Sequence, residues 1–143
     1  MQKTVANIID DKGREIWAID AADTVYQALE MMADKNVGAL VVTSDGTFCG
    51  ILSERDYARK VILASKGSRK TPVSEIMTPD PITVEPSDTV ASCMQLMTDK
   101  RFRHLPVVDD GELVGIISIG DVVRAVIEEQ KFLINQLESY ITG

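Results

Sequence analysis

DTVYQALEMMADKNVGALVVTSDGTFCGILSERDYARKV, residues 23–61, returns at residues 88–126 as DTVASCMQLMTDKRFRHLPVVDDGELVGIISIGDVVRAV, in the same order and without a gap. The offset is 65, and sixteen of the 39 positions are identical, among them Asp23/Asp88, Thr24/Thr89, Val25/Val90, Met32/Met97, Gly46/Gly111, Gly50/Gly115, Ser53/Ser118 and Asp56/Asp121. Two copies of one unit fill most of a 143-residue chain, so the repeat sets the architecture. One copy is too small to cover its own apolar surface. The two are expected to pack about a pseudo-twofold axis as a single α/β (α+β) module, leaving a cleft between similar halves, a common setting for a ligand site.

Each copy reads strand, helix, strand, strand, helix (βαββα). Asp23-Thr24 and Asp88-Thr89 supply N-cap residues for the first helix. Val25, Ala28, Leu29 and Met32 form the i, i+3, i+4, i+7 stripe of an amphipathic helix, and Val90, Cys93, Met94 and Met97 repeat it. The runs 39–43 and 48–52 flank Ser44-Asp45-Gly46-Thr47, and 104–108 and 113–117 flank Asp109-Asp110-Gly111-Glu112. Asp-Gly between two apolar runs signals a hairpin. A second helix is expected near Glu54 and again near Ile119, and short extended stretches at 16–19 and 82–84 precede the first helices. Residues 121–140 suit one long helix with an approximate stripe of Val122, Val126, Leu133, Leu137 and Tyr140. The expected organisation is repeat one at 10–62, a linker at 63–80 that is polar and carries Gly and Pro, repeat two at 81–127 and a C-terminal helix extension at 128–143.

Composition narrows the function. With 45% hydrophobic and only 5% aromatic residues, the core is aliphatic. A net charge of −7 argues against a general attraction to nucleic acid or an anionic membrane. No apolar run reaches the roughly 20 residues of a membrane span, and residues 1–11 do not read as a signal peptide. Cys49 and Cys93 permit one disulfide on count alone; two buried, reduced thiols in a cytoplasmic protein is the better reading. The catalytic inventory is thin. His104 is the one histidine, no HExxH, P-loop, GxSxG or GxGxxG is present, and Met31, Met32, Met94 and Met97 read as core fillers rather than metal ligands.

The informative pattern is Gly-hydrophobic-hydrophobic-Ser-x-x-Asp, at Gly50–Asp56 and again at Gly115–Asp121. In each, a strand ends and a helix begins. The free amides and dipole of a helix N-terminus attract anions, and an ionised Asp accepts two hydrogen bonds at once, which suits the 2′- and 3′-hydroxyls of a ribose. Helix capping alone is the competing explanation for either copy in isolation; duplication in register favours a ligand. Lys100-Arg101-Phe102-Arg103-His104 is the second feature. Cations near a helix C-terminus are favoured anyway, which accounts for Lys100 and Arg101. Arg103 and His104, however, stand where repeat one has Gly38-Ala39, so one site is expected to be specialised for phosphate. Arg103, His104 and Arg55 could then converge on one phosphate, unless His104 instead packs its ring on adenine.

Four segments resemble the cystathionine-β-synthase (CBS) domain family in its tandem-pair form: Ser53-Glu54-Arg55-Asp56-Tyr57, Val73-Ser74-Glu75-Ile76-Met77-Thr78, Arg103-His104-Leu105-Pro106-Val107-Val108-Asp109 and Gly115-Ile116-Ile117-Ser118. The resemblance covers roughly residues 10–127 and is closest to small stand-alone bacterial CBS-pair proteins. It implies two βαββα repeats, often dimerised into a flat disc, that bind AMP, ADP, ATP, NAD(H) or S-adenosylmethionine. It places ribose and phosphate on Ser118 and Asp121, and on Ser53 and Asp56. It places adenine between Ile82, Thr83, Val84 and His104, Leu105, Pro106 in one site, and between Trp17, Ala18, Ile19 and Gly38, Ala39, Leu40 in the other. Position 120 is Gly where repeat one has Arg55, and repeat one lacks the Arg-His-Leu-Pro run. The expected function is a regulatory, signal-transducing adenine-nucleotide sensor without catalysis, a homodimer read by a further protein partner. A structural dimerisation module or a nucleotide hydrolase are the alternatives.

Overall fold

Asp45-Gly46 and Asp110-Gly111 close the two hairpins around which the repeats are built. All four residues have positive φ (51° and 76°, 52° and 81°), the type I′ geometry that matches the twist of antiparallel strands. The computed structural model describes residues 2–142. They form two compact units, one of residues 16–81 and one of residues 2–15 with 82–142.

In the first unit, β1 (Ala18–Asp20) lies parallel to β2 (Ala39–Ser44), which pairs antiparallel with β3 (Thr47–Ser53), and β3 with the short β4 (Thr78–Pro79). Between β1 and β2 runs α2 (Val25–Lys35). Thr24 and Gln27 cap it reciprocally, with the Gln27 amide donating to Thr24 Oγ1 at 3.2 Å and Thr24 N donating to Gln27 Oε1 at 2.9 Å. Val25, Ala28 and Met32 are buried as their spacing predicts, while Leu29 is only partly covered. The helix stops at Asn36, which adopts the left-handed conformation that asparagine tolerates. The second helix of this repeat is short: α3 (Glu54–Tyr57) runs into a π-helical turn at 58–62.

The second unit holds α4 (Val90–Lys100), capped by Thr89, then β5 (His104–Asp109), β6 (Glu112–Ser118) and the 24-residue α5 (Ile119–Thr142). The expected first strand of this repeat shrinks to a single parallel bridge between Val84 and Val107. Pro81 and Pro86 bracket the segment and have no N–H to extend a ladder. The two hairpins share a bulge at equivalent places, Val42/Thr43 and Val107/Val108.

The segment expected as a linker is ordered onto the first unit. Val25 N donates to Thr71 O at 2.9 Å and Val73 N to Asp23 O at 2.8 Å. In the second unit the same two bonds join Val90 N to Lys3 O (2.9 Å) and Val5 N to Asp88 O (2.9 Å). Each unit is therefore completed by the segment that precedes the other repeat. That segment is 68–77 for the first unit; for the second it is the N-terminal stretch with α1 (Val5–Lys12). Burial explains the arrangement. Val5, Ile8 and Ile9 sit in the aliphatic core with Val90, Cys93, Met97, Leu105 and Ile117, and Val73 and Ile76 take the matching places beside Val25, Met32, Leu40 and Leu52.

Candidate functional site

Ser118 ends β6 and Asp121 stands in the first turn of α5, so the two close a capping box. Ser118 N donates to Asp121 Oδ2 at 2.8 Å, and Asp121 N donates to Ser118 Oγ at 3.2 Å. The first unit repeats the geometry at the β3–α3 corner. Ser53 N donates to Asp56 Oδ2 at 3.0 Å and Asp56 N to Ser53 Oγ at 3.2 Å. Both carboxylates thus do the capping work that the pattern alone allowed, and each keeps one oxygen, Oδ1, outside the box.

What differs is the cation. Asp56 Oδ1 meets Lys60 of the next turn at 3.3 Å. Asp121 Oδ2 instead accepts from Lys12, the last residue of α1, at 2.7 Å; that ammonium also donates to Ile116 O at 3.0 Å, while Arg124 reaches Asp121 Oδ1 at 3.5 Å. The Asp121 side chain is 11% exposed. Burial by itself would raise its pKa, but the Lys12 ammonium and the Ser118 amide and hydroxyl outweigh burial and hold the carboxyl below its ordinary range. A cavity of about 230 Å³ opens beside this carboxylate, lined also by Ile8, Asp11, Lys12, Arg124, Ala125 and Glu128. The repeat pattern did not point to Ile8, Asp11 or Lys12, because α1 lies outside the repeated segment.

Arg103 and His104 stand at the same corner. His104 is the ladder partner of Ser118, and Ile119 N donates to Arg103 O at 2.8 Å. Val84 N donates to Pro106 O at 3.0 Å and Val84 O accepts from Val108 N at 2.9 Å, which joins Val84 to β5 opposite Val107. Val84, Leu105 and Pro106 are buried, whereas Ile82, Thr83 and Arg103 are exposed. In the first unit, Ala39 is the ladder partner of Ser53, Glu54 N donates to Gly38 O at 3.0 Å, and Val41 N donates to Trp17 O at 3.0 Å. Ile19, Ala39 and Leu40 are buried; Ala18 is exposed and Gly38 and Arg55 are half-buried. Lys35 lies 4.5 Å over the Trp17 ring, a cation–π contact. Gly38 also lines a cavity of about 600 Å³ with Asn36, Val37, Glu54 and Tyr57. The two thiols are free. Burial pushes the Cys93 thiol up to about 11. Among the described residues, no helix is long and apolar enough to cross a membrane.

The profile of the CBS domain family matches residues 8–63 and 73–128. The chain is 43% identical over 150 residues to the Arabidopsis thaliana CBS domain-containing protein CBSX3, mitochondrial, covering 98% of this chain and 72% of that one. It spans only about a fifth of the longer Arabidopsis CBS-domain proteins that it also matches. A putative signal-transduction protein with CBS domains from Burkholderia ambifaria MC40-6 superposes with a TM-score of 0.85 at 50% identity, over 90% of this chain and 96% of that one. The structure of CBSX2 in complex with AMP superposes with a TM-score of 0.70 at 29% identity, over 88% of this chain and 97% of that one.

Proposed function

As the chain belongs to the CBS domain family, we propose that it is a regulatory module that binds an adenosine-containing ligand, AMP foremost, and performs no catalysis of its own. The observation that carries this reading is the β6–α5 corner, where Ser118, Asp121 and His104 converge beside the Val84–Pro106 contact. A carboxylate held ionised can accept from a ribose hydroxyl through Oδ1, the helix N-terminus offers amides to a phosphate, and buried Val84, Leu105 and Pro106 give an apolar wall for adenine. The related CBSX2 binds AMP, which supports adenosine as the ligand class; ADP, ATP, NAD(H) and S-adenosylmethionine share the same recognisable half.

Arg103 and His104 favour the second repeat's corner as the tighter site, with Arg103 as the phosphate fork. Ser53 and Asp56, with Trp17, Ile19, Gly38, Ala39 and Leu40, form the weaker twin. Ligand energy would bias the conformation or assembly of a homodimer, and a protein partner would read the change. The free thiols fit a reducing, cytoplasmic setting.

Thermal shifts and calorimetry with AMP, ADP, ATP, NAD, NADH and S-adenosylmethionine test the reading. At least one is expected to raise the melting temperature and to be recovered intact by chromatography. AMP should outbind adenosine and 2′-deoxy-AMP, and added salt should weaken it. Consumption of a nucleotide would establish a hydrolase, no shift with any ligand would leave a structural module, and equal affinity for AMP and adenosine would remove the phosphate assignment.

A further inference from the structure

From Gln130 to Ile141 every residue of α5 is exposed. This half of the helix lies beyond residue 128, where the family match ends, so the repeats do not account for it. It is not a solvated spacer either. Leu137 is 62%, Ile141 80% and Tyr140 88% exposed, and Leu133 and Ile134 are about half so. Helical stability in proteins comes mostly from packing an apolar face, and here that face is uncovered.

The spacing says what covers it. Ile127, Ile134 and Ile141 recur every seven residues, with Val123, Gln130 and Leu137 four residues before each of them, so they occupy the a and d positions of a heptad. Lys131 and Glu138 fall at the e positions, Leu133 and Tyr140 at g. We propose that this half of α5 pairs antiparallel with the same segment of a second copy. In the register that places Ile134 on the partner's Leu137, the twofold axis places Leu137 on the partner's Ile134. The same register sets Lys131 against the partner's Glu138, Glu138 against the partner's Lys131, and Leu133 against the partner's Tyr140. Charge and apolar flanks are both self-complementary. In a parallel pairing, Glu138 would face the partner's Leu133 and no charge pair would form.

The exposed parts of Leu133, Ile134, Leu137, Tyr140 and Ile141 are the apolar surface that this pairing covers.

The test is the mass of the full chain by light scattering and sedimentation across micromolar concentrations. Leu137→Glu, at an exposed position, is expected to keep its circular dichroism and its nucleotide response while its assembly mass halves. Glu138→Lys and Lys131→Glu should each weaken association about tenfold, by setting two like-charge pairs in place of two opposite ones, and the double reversal should restore it. Sedimentation of the unsubstituted chain as a monomer, or a mass unchanged by Leu137→Glu, would overturn the proposal. Single reversals without effect would overturn the antiparallel register. A loss of nucleotide binding with assembly intact would bear on the ligand site alone.

Discussion

Replacing Asp121 should cost more than replacing its counterpart Asp56, and the structure says by how much. Asp121 accepts from Ser118 N at 2.8 Å and from Lys12 at 2.7 Å. Losing a capping acceptor costs about 1 kcal/mol. Losing the tie to α1 adds up to about 1 kcal/mol, because Lys12 is a third exposed and can rehydrate. Asp121→Ala is therefore expected to lower stability by roughly 1.5–2 kcal/mol, about 4–8 °C in melting temperature for a chain of this size. Asp56 caps only the four-residue α3, and its cation, Lys60, sits at 3.3 Å on the same stretch of chain; about 1 kcal/mol is expected for Asp56→Ala. Calorimetry of Asp121→Asn against pH isolates the charge. The folded-state pKa of Asp121 is lowered, so its contribution is fully present above the unfolded value of about 3.9 and is lost as pH falls through the lower folded value. The stability gap between the natural chain and Asp121→Asn should hold from pH 8 to about 4 and close only below that. An Asn variant as stable as the natural chain at pH 7, or a gap that closes between pH 7 and 5, would refute the reasoning.

Gly50→Ala should destabilise by about 2–3 kcal/mol in urea titrations and Gly115→Ala by about 1 kcal/mol. A Cβ at 50 would stand 2.8 Å from the Thr78 backbone oxygen, whereas at 115 it would meet the terminal Cδ1 of Ile9 at 2.6 Å, an atom that can rotate away. Cys93, with its thiol pushed up to about 11 and its side chain buried, should resist a thiol reagent at pH 8 in the folded protein and react once urea unfolds it; equal labelling of Cys93 in both states would contradict the core placement.

Much of the fold was legible because it is local. The Thr caps, the Asp-Gly turns, the stripe of Val25, Ala28 and Met32, and the Ser-x-x-Asp corners all depend on residues within a few positions of one another, and the repeat doubled every signal. The long α5 was readable from its period; the structure adds that Leu133, Leu137 and Tyr140 of its stripe are exposed. One non-local feature had a signal that went unread. Thr4-Val5-Ala6-Asn7-Ile8-Ile9 carries the same Val-x-x-Ile-apolar pattern as Pro72-Val73-Ser74-Glu75-Ile76-Met77.

The sequence by itself determined the capped first helix and the hairpin of each repeat, their turns and the two Ser-x-x-Asp corners, since caps and periodicity act over one or two turns of chain. Only the tertiary structure decided that residues 2–15 complete the unit of the second repeat, that its first strand survives as one Val84–Val107 bridge, and that Lys12 closes on Asp121 across 109 positions of sequence. The first and last of those outcomes come from burying Val5, Ile8 and Ile9 in the aliphatic core of the second unit, a match between surfaces distant in sequence that caps and periodicity, acting within a few residues, do not set.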